Sequence, residues 1–385
     1  MKVAVVGGKL QGTEATYLAH RAGWEVLLID KRQAVPAQGL ADEFYQMDVT
    51  DDASSLGSIL RKADLVIPAV EDRSALKSLK QATAREGVPL AYDEASYEVS
   101  SSKKRSDRLF GELGLPAPRP WPSGGLPLLI KPSGSSGSRG VLKIESRNEL
   151  NAFLSKTVSE SEDWVIQEYL EGPSYSIEVF GHSNRFISLQ TTTIEVDAVY
   201  DCKRVLAPAD LSSDLKDDFG RLSRKIAQAL HLEGIMDVEV IQSLGRLKVL
   251  EIDARLPSQT PTVVYKSTGL NMVELLFEIF VKDSLPESAP IDQEKAVIYE
   301  HLKVTPEALE VAGEHIMAEA GPLKIREGFF GADEAITDYR QGKPHWAATL
   351  IFTEKSPKDA WAKRCATIED LKEYFGITAF EDSVP

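Results

Sequence analysis

The chain holds 385 residues, 43% hydrophobic and 27% charged, with a formal net charge of −15. That length exceeds one comfortable core and implies two or three domains. The acidity disfavours a nucleic-acid partner, because phosphate backbones reward Lys and Arg. No membrane span is expected, since the richest apolar stretch, residues 272–281, is broken by Glu274 and Glu278. Cys202 and Cys365 are far apart and form no metal-spaced pair, which fits a reducing cytoplasm.

The first block alternates strand and helix. Residues 2–6 read as a β-branched strand, 13–21 as a helix, and 25–29 as a second strand ending in Asp30. Another strand at 65–68, a helix at 74–86 and a strand at 89–92 follow, the pattern of a parallel α/β sheet. A polar stretch, 100–108, then leads to the proline-rich linker 115–127. Beyond it, 128–131 and 141–144 are short strands around a Ser/Gly loop, 148–156 is helical, and 164–169 is a strand. Residues 175–179 and 186–192 alternate like antiparallel strands, followed by a helix at 215–230 and strands at 235–241 and 247–252. An amphipathic helix at 271–282, short strands from 296 onward and a closing helix at 368–375 complete the chain.

Four segments carry chemistry. The loop Gly7-Gly8-Lys9-Leu10-Gln11-Gly12 joins strand to helix, where a helix N-terminus can hold an anion. Lys9 occupies the slot of the second glycine in a dinucleotide fingerprint, which counts against a nicotinamide enzyme. Lys9, Leu10 and Gln11 then either meet a substrate or simply form a tight turn. In the second glycine loop, residues 131–140, Ser135, Ser136 and Gly137 leave little bulk over the backbone amides. Such a loop can close over a triphosphate, with Lys131 against it, or be a plain solvent loop. Gln167-Glu168-Tyr169-Leu170 is a strand end suited to reading an adenine through backbone groups, or an ordinary strand end.

The acidic segment is the most informative. Glu251 and Asp253 are two apart and share a strand face, as do Asp237 and Glu239. If the two strands form a hairpin through 242–246, Glu239, Glu251 and Asp253 converge as hard oxygen ligands suited to Mg²⁺, or else form a solvated acidic face. Arg255 follows at once and suits a phosphoryl group or oxyanion, with Ser258, Gln259 and Thr260 as neutral donors between Pro257 and Pro261.

In this order the segments resemble the ATP-grasp superfamily over nearly the whole chain. The resemblance implies an ATP-grasp fold, mixed α/β and α+β, in three parts. These are a Rossmann-like domain at 1–96, a central subdomain with a lid at 97–185, and a C-terminal lobe at 186–385 carrying the metal site. It matches Lys104 and Lys131 to the nucleotide-binding lysines, the loop 133–140 with Ser135, Ser136 and Gly137 to the lid, Gln167–Leu170 to the hinge, and Glu239, Glu251 and Asp253 to the Mg²⁺ ligands. Two departures stand out: Asp253 replaces the usual Asn, and Ser174 stands at the spacing of a ribose-binding Glu.

The strings GGKLQG at 7–12, GIMDVE at 234–239, EIDARLPSQTPTVVY at 251–265 and YEHL at 299–302 further resemble the ligase family of pyrrolysine biosynthesis. That likeness implies an ATP-dependent carboxylate–amine ligase joining the α-carboxylate of 3-methyl-D-ornithine to the ε-amine of L-lysine, with Arg255 and Lys131 as catalytic cations. Both substrates carry amines, so Glu71, Asp72, Ser176, Glu178 and Asp201, with Glu195 and Glu300, are candidates for substrate binding, or else surface and capping groups. His301 is either a proton relay or a satisfied structural histidine. Superfamily members often form homodimers, although no interface is legible in the chain.

Overall fold

The computed structural model describes residues 1–135, 137–157, 163–289 and 294–384, with the backbone alone at 156 and 157. Residues 3–6 and 26–29 are buried on both strand faces, as a parallel sheet covered by helices requires. Strands β1 (Lys2–Val6), β2 (Glu25–Asp30), β3 (Glu43–Gln46) and β4 (Leu65–Pro68) pair in parallel, in the order β3-β2-β1-β4. They are joined through α1 (Leu10–Arg21) and α2 (Ala53–Leu60), and α3 (Arg73–Glu86) follows β4. Gly7, at φ +106°, opens the turn from β1 into α1. A Cβ on Gly12 would lie 1.9 Å from the Gly7 carbonyl oxygen, so only glycine fits this close approach.

Helix α4 (Glu94–Ser100) ends where the stretch that reads as merely polar begins, and α5 (Lys103–Glu112) occupies most of that stretch. The buried face of α5 is Lys103, Ser106 and Phe110, an i, i+3, i+7 spacing whose first members are polar. The proline-rich linker is tied down on both sides. Trp121 N donates to the Ile166 carbonyl at 3.0 Å and Val249 N to the Pro116 carbonyl at 2.8 Å.

Strands β5 (Leu128–Pro132), β6 (Leu142–Ile144) and β7 (Trp164–Glu168) form a small antiparallel sheet, β6-β5-β7, with α6 (Arg147–Thr157) beside it. The remaining strands form one sheet, of 12 strands among the described residues. They are β8 (Ser174–His182), β9 (Arg185–Ser188), β10 (Thr192–Val196), β11 (Cys202–Ala207), β12 (Gly234–Ser243), β13 (Arg246–Asp253), β14 (Ala296–Val304), β15 (Ala308–Val311), β16 (Lys324–Glu327), β17 (Glu334–Thr337), β18 (Trp346–Glu354) and β19 (Ala379–Asp382). Their order is β13-β12-β8-β10-β11-β14-β18-β17-β16, with β9 on β8, β15 on β14 and β19 on β15. Helices α7 (Ser213–Leu230), α8 (Thr260–Thr268), α9 (Met272–Phe280), α10 (His315–Glu319) and α11 (Pro357–Phe375) pack around it. Strand β8 pairs with β12, so it belongs to this sheet rather than to the small sheet with which a 97–185 division groups it. Helix α11 starts well before residue 368, capped by the Ser356 side chain, with Pro357 in its first turn.

Candidate functional site

The turn between β12 and β13 holds Leu244 and Gly245, both at positive φ, the conformation of a tight two-residue hairpin. Its register sets Glu239 opposite Glu251 and Asp237 opposite Asp253. On the other side β8 sets Ser176 against Glu239 and Glu178 against Asp237. Directly opposed residues share a face, so five carboxylates and one serine form two adjoining rows on one side of the sheet.

Burial, and next the Glu178 charge, raises the Asp237 carboxyl well above its ordinary range. Burial does the same to Glu239, with Asp237 and Glu251 adding to it. Burial pushes Asp253 up to about 6 against the pull of Arg255. Among the described residues, the three acids or histidines whose donor atoms all lie within 4.8 Å of one another are Asp197, Asp201 and His315, not the hairpin acids. These three are already bonded internally. Asp197 accepts from the amides of Val199, Asp201 and Gly313, and Asp201 from His315 N and Nδ1.

Two clefts flank this face. One, of about 680 Å³, is lined by Lys131, Ser135, Gly137, the run Gln167–Leu170, Ser174, Glu239 and Glu251. Lys131 is 6% exposed, and burial lowers its ammonium pKa against the raising effect of Glu251. The Glu168 carboxylate is held by Arg119 at 2.7 Å and by Lys248 at 2.5 Å, and the amides of Glu168 and Tyr169 donate to the Arg119 and Pro127 carbonyls. Ser136 lies outside the described residues.

Lys104 is not in this cleft. Its ammonium meets Asp163 at the surface, 2.7 Å away. Lys103 lines the cleft instead, 9% exposed, donating to Glu251 Oε1 at 2.8 Å and to the Ser135 carbonyl. The helical turn of α5 separates the two side chains by about 100°, sending one inward and the other out.

The second cleft, of about 610 Å³, lies along the carboxyl ends of the parallel strands. Lys9, Leu10, Gln11, Glu71, Asp72, Asp201, Arg255 and Ser258 line it, with Glu314 and His315, which no local pattern marks. Asp72 caps α3 through Ala75 N, so its carboxylate is spent on the helix. Arg255 reaches Asp253 at 2.7 Å and Glu71 at 2.8 Å, while its buried Nη1 has no hydrogen-bond partner. Gly137 and Arg139 line both clefts, so the glycine loop stands between them.

Other expected substrate residues lie elsewhere. Ser176 and Glu178 are fully buried in the acidic rows and line neither cleft; Ser176 bonds Asp237, and both Glu178 oxygens are unpartnered. Gln259 bonds Glu314 at 2.7 Å, as does Ser258 Oγ, while Thr260 starts α8 with an unpartnered hydroxyl. Glu195 lines the first cleft and pairs with Arg204. Glu300, 0% exposed, is clamped by Arg204 and Arg364, a fixed ion cluster with no opening to a substrate. Burial lowers His301 to about 3, and its Nδ1 faces Thr349 at 2.8 Å, so it stays neutral and relays no proton near pH 7.

A glycine loop between a lysine-and-acid cleft and a second cleft beneath a Rossmann-like sheet defines the class: an ATP-grasp enzyme. A family model described as ATP-grasp domain matches residues 100–259, and another, PylC-like N-terminal domain, matches residues 3–91. The chain is 35% identical over 376 residues to the 3-methyl-D-ornithine–L-lysine ligase of Methanosarcina barkeri, covering 97% of this chain and 98% of that protein. It is 34% identical to the protein of that name from Methanosarcina mazei, covering 98% and 97%. Its fold matches the biotin carboxylase domain dimer of Hydrogenobacter thermophilus 2-oxoglutarate carboxylase, solved with MgADP, ADP and bicarbonate. The TM-score is 0.71 at 17% identity, over 96% of this chain and 89% of that one. The chain belongs to the 3-methyl-D-ornithine–L-lysine ligase family of ATP-grasp carboxylate–amine ligases. No helix among the described residues is long and apolar enough to cross a membrane.

Proposed function

We propose that the chain joins the α-carboxylate of (3R)-3-methyl-D-ornithine to the ε-amine of L-lysine, converting ATP to ADP and phosphate, in pyrrolysine biosynthesis. The observation that carries the reading is the meeting of the two clefts at Gly137 and Arg139, with Arg255 lining the second and its buried Nη1 unpartnered. The first cleft suits ATP: Lys103 and Lys131 bring positive charge to the phosphates, and the Gln167–Leu170 backbone suits the adenine. The second suits two diamino acids, since Glu71, Asp201 and Glu314 oppose their ammonium groups.

The carboxyls Glu239 and Asp253, held above their ordinary range by burial, are ones a divalent cation would ionise, and with Glu251 they make a hard-oxygen set for Mg²⁺. Bound there, Mg²⁺ would neutralise phosphate charge. The ornithine carboxylate attacks the γ-phosphorus, and ADP leaves an acyl phosphate. Arg255, fixed by Asp253 and Glu71, presents Nη1 to the oxyanion formed when the lysine amine attacks and phosphate departs. That amine, with an ordinary pKa of about 10.4, must first lose a proton. Of the carboxylates lining the second cleft, Asp201 and Glu314 are the proposed acceptors. The glycine loop shields the acyl phosphate from water.

The test is phosphate release with ATP, Mg²⁺, D-ornithine as the accessible analogue, and L-lysine, each omitted in turn, with mass analysis of the product. Release that requires all four, with an amide on the lysine ε-nitrogen, supports the reading. ATP turnover that needs another amine or acid overturns the substrate pair, and no turnover with any pair leaves a nucleotide-binding protein without this chemistry.

A further inference from the structure

Strand β19 runs parallel to β15, with Val311 beside Asp382, and delivers Asp382 into a cluster of cations. Its carboxylate meets Lys203 Nζ at 2.6 Å, Arg204 Nη2 at 2.6 Å and Arg364 Nη2 at 3.3 Å. Both arginines are themselves anchored on buried Glu300, so the segment is fixed from two elements, β11 and α11. Lys203 is 1% exposed, yet it lines the same cleft as Lys103 and Lys131, and so does Val384, two residues beyond Asp382. An ammonium has three donors. Asp382 Oδ1 and the Ser383 carbonyl take two of those on Lys203, so a third is not used by this segment.

We propose that Asp382–Val384 is a wall of the nucleotide cleft: Asp382 and the Ser383 carbonyl hold Lys203 so that its remaining N–H meets a phosphate oxygen, and Val384 borders the bound nucleotide. Asp382 is a positioning residue that acts through Lys203. A lysine held in one rotamer loses little further freedom when the phosphate arrives, so the fixing favours binding. The inference rests on reading this cleft as the nucleotide site.

The test is the dissociation constant of MgADP, by calorimetry, for the full chain and four variants, beside KM for ATP and for each amino acid. Lys203→Met weakens MgADP about tenfold, the scale of one lost charge-assisted hydrogen bond. Asp382→Asn, which leaves Arg204 and Arg364 on Glu300, weakens it about fivefold and raises KM for ATP while leaving the amino-acid KM values in place. The double variant loses no more than Lys203→Met alone; losses that multiply overturn the proposal, as does Lys203→Met binding like the parent. Val384→Asp, at a position 72% exposed and so tolerant of change, decides the matter if Asp382→Asn does not fold. Its added negative charge must weaken MgADP, and an unchanged constant overturns the proposal. A parent chain that binds no MgADP refutes the nucleotide reading itself, whereas a binding parent with indifferent variants refutes only the role of this segment.

Discussion

Exchanging Lys103 for Met separates the structure's assignment from the one the sequence suggests. Met keeps the length and apolar stem but removes the charge. Lys103 Nζ sits 2.8 Å from Glu251, with side chains 10% and 35% exposed. At an effective dielectric of about 20, charges that close attract by about 6 kcal/mol before desolvation is counted. Glu251 is a third exposed, and a charge-assisted hydrogen bond typically nets about 1.5–3 kcal/mol. Lys103 and Lys131 also line the first cleft beside Glu239 and Glu251, so losing one removes positive charge from its phosphate end. Lys103→Met is therefore expected to weaken MgADP about 10- to 150-fold and to slow ATP-dependent phosphate release in parallel. Lys104 and Asp163 are 47% and 76% exposed, and such a pair is worth no more than about 1 kcal/mol. Lys104→Met should stay within about fivefold of the parent. Calorimetry with MgADP and a phosphate-release assay on both variants decide it. A larger loss at Lys104 than at Lys103 refutes the reasoning.

Glu251→Gln should abolish ATP turnover with an unchanged melting curve; retained turnover removes Glu251 from the metal set. Arg255→Lys keeps the charge, but all its donors sit on one nitrogen, so it cannot bind Glu71 and Asp253 as Nη2 does and also place a donor where Nη1 stands; kcat should drop about 10²- to 10³-fold with KM for ATP little changed. Burial pushes Glu14 up to about 7 from 4.5, even though it accepts Thr262 N. The folded chain thus holds this proton more tightly than the unfolded one, and stability is lost as pH rises from 4.5 through 7, by up to about 3 kcal/mol. Glu14→Gln should then stabilise the chain in denaturant melts at pH 8 and much less at pH 5; equal effects at both would refute the linkage. Gly12→Ala places a methyl 1.9 Å from the Gly7 carbonyl oxygen and should cost about 2–4 kcal/mol, read as a lower denaturant midpoint; a neutral result means the α1 turn can give way.

What the sequence disclosed and what it concealed divide along one physical line. The acidic hairpin was legible because strand period two places Glu251 with Asp253 and Asp237 with Glu239, and a Leu-Gly turn fixes the register between the pairs. The glycine loop stood out by composition and the Gln167–Leu170 run only through the family resemblance; residues of both line the first cleft. Helix α5 did not stand out, because its buried face begins with Lys103 and Ser106, and hydrophobic periodicity cannot see a face that turns inward toward a polar site. The family resemblance points to Lys104, one residue away, and without the helix nothing local shows that Lys103 is the side chain turned inward. A second class of residue was hidden by distance along the chain. Glu314 joins Ser258 and Gln259, Asp201 joins His315, and Lys203 joins Asp382 across 55 to 179 residues, pairings that leave no local trace. Conversely, Glu300 and His301 sit in a distinctive string yet serve an ion cluster and a buried hydrogen bond. A string that resembles a family's marks where the chain is constrained; whether the constraint is chemical or architectural depends on which sheet face each side chain takes. In β14 adjacent residues take opposite faces, so Glu300 and His301 answer to different surroundings and neither one's role can be carried to the other.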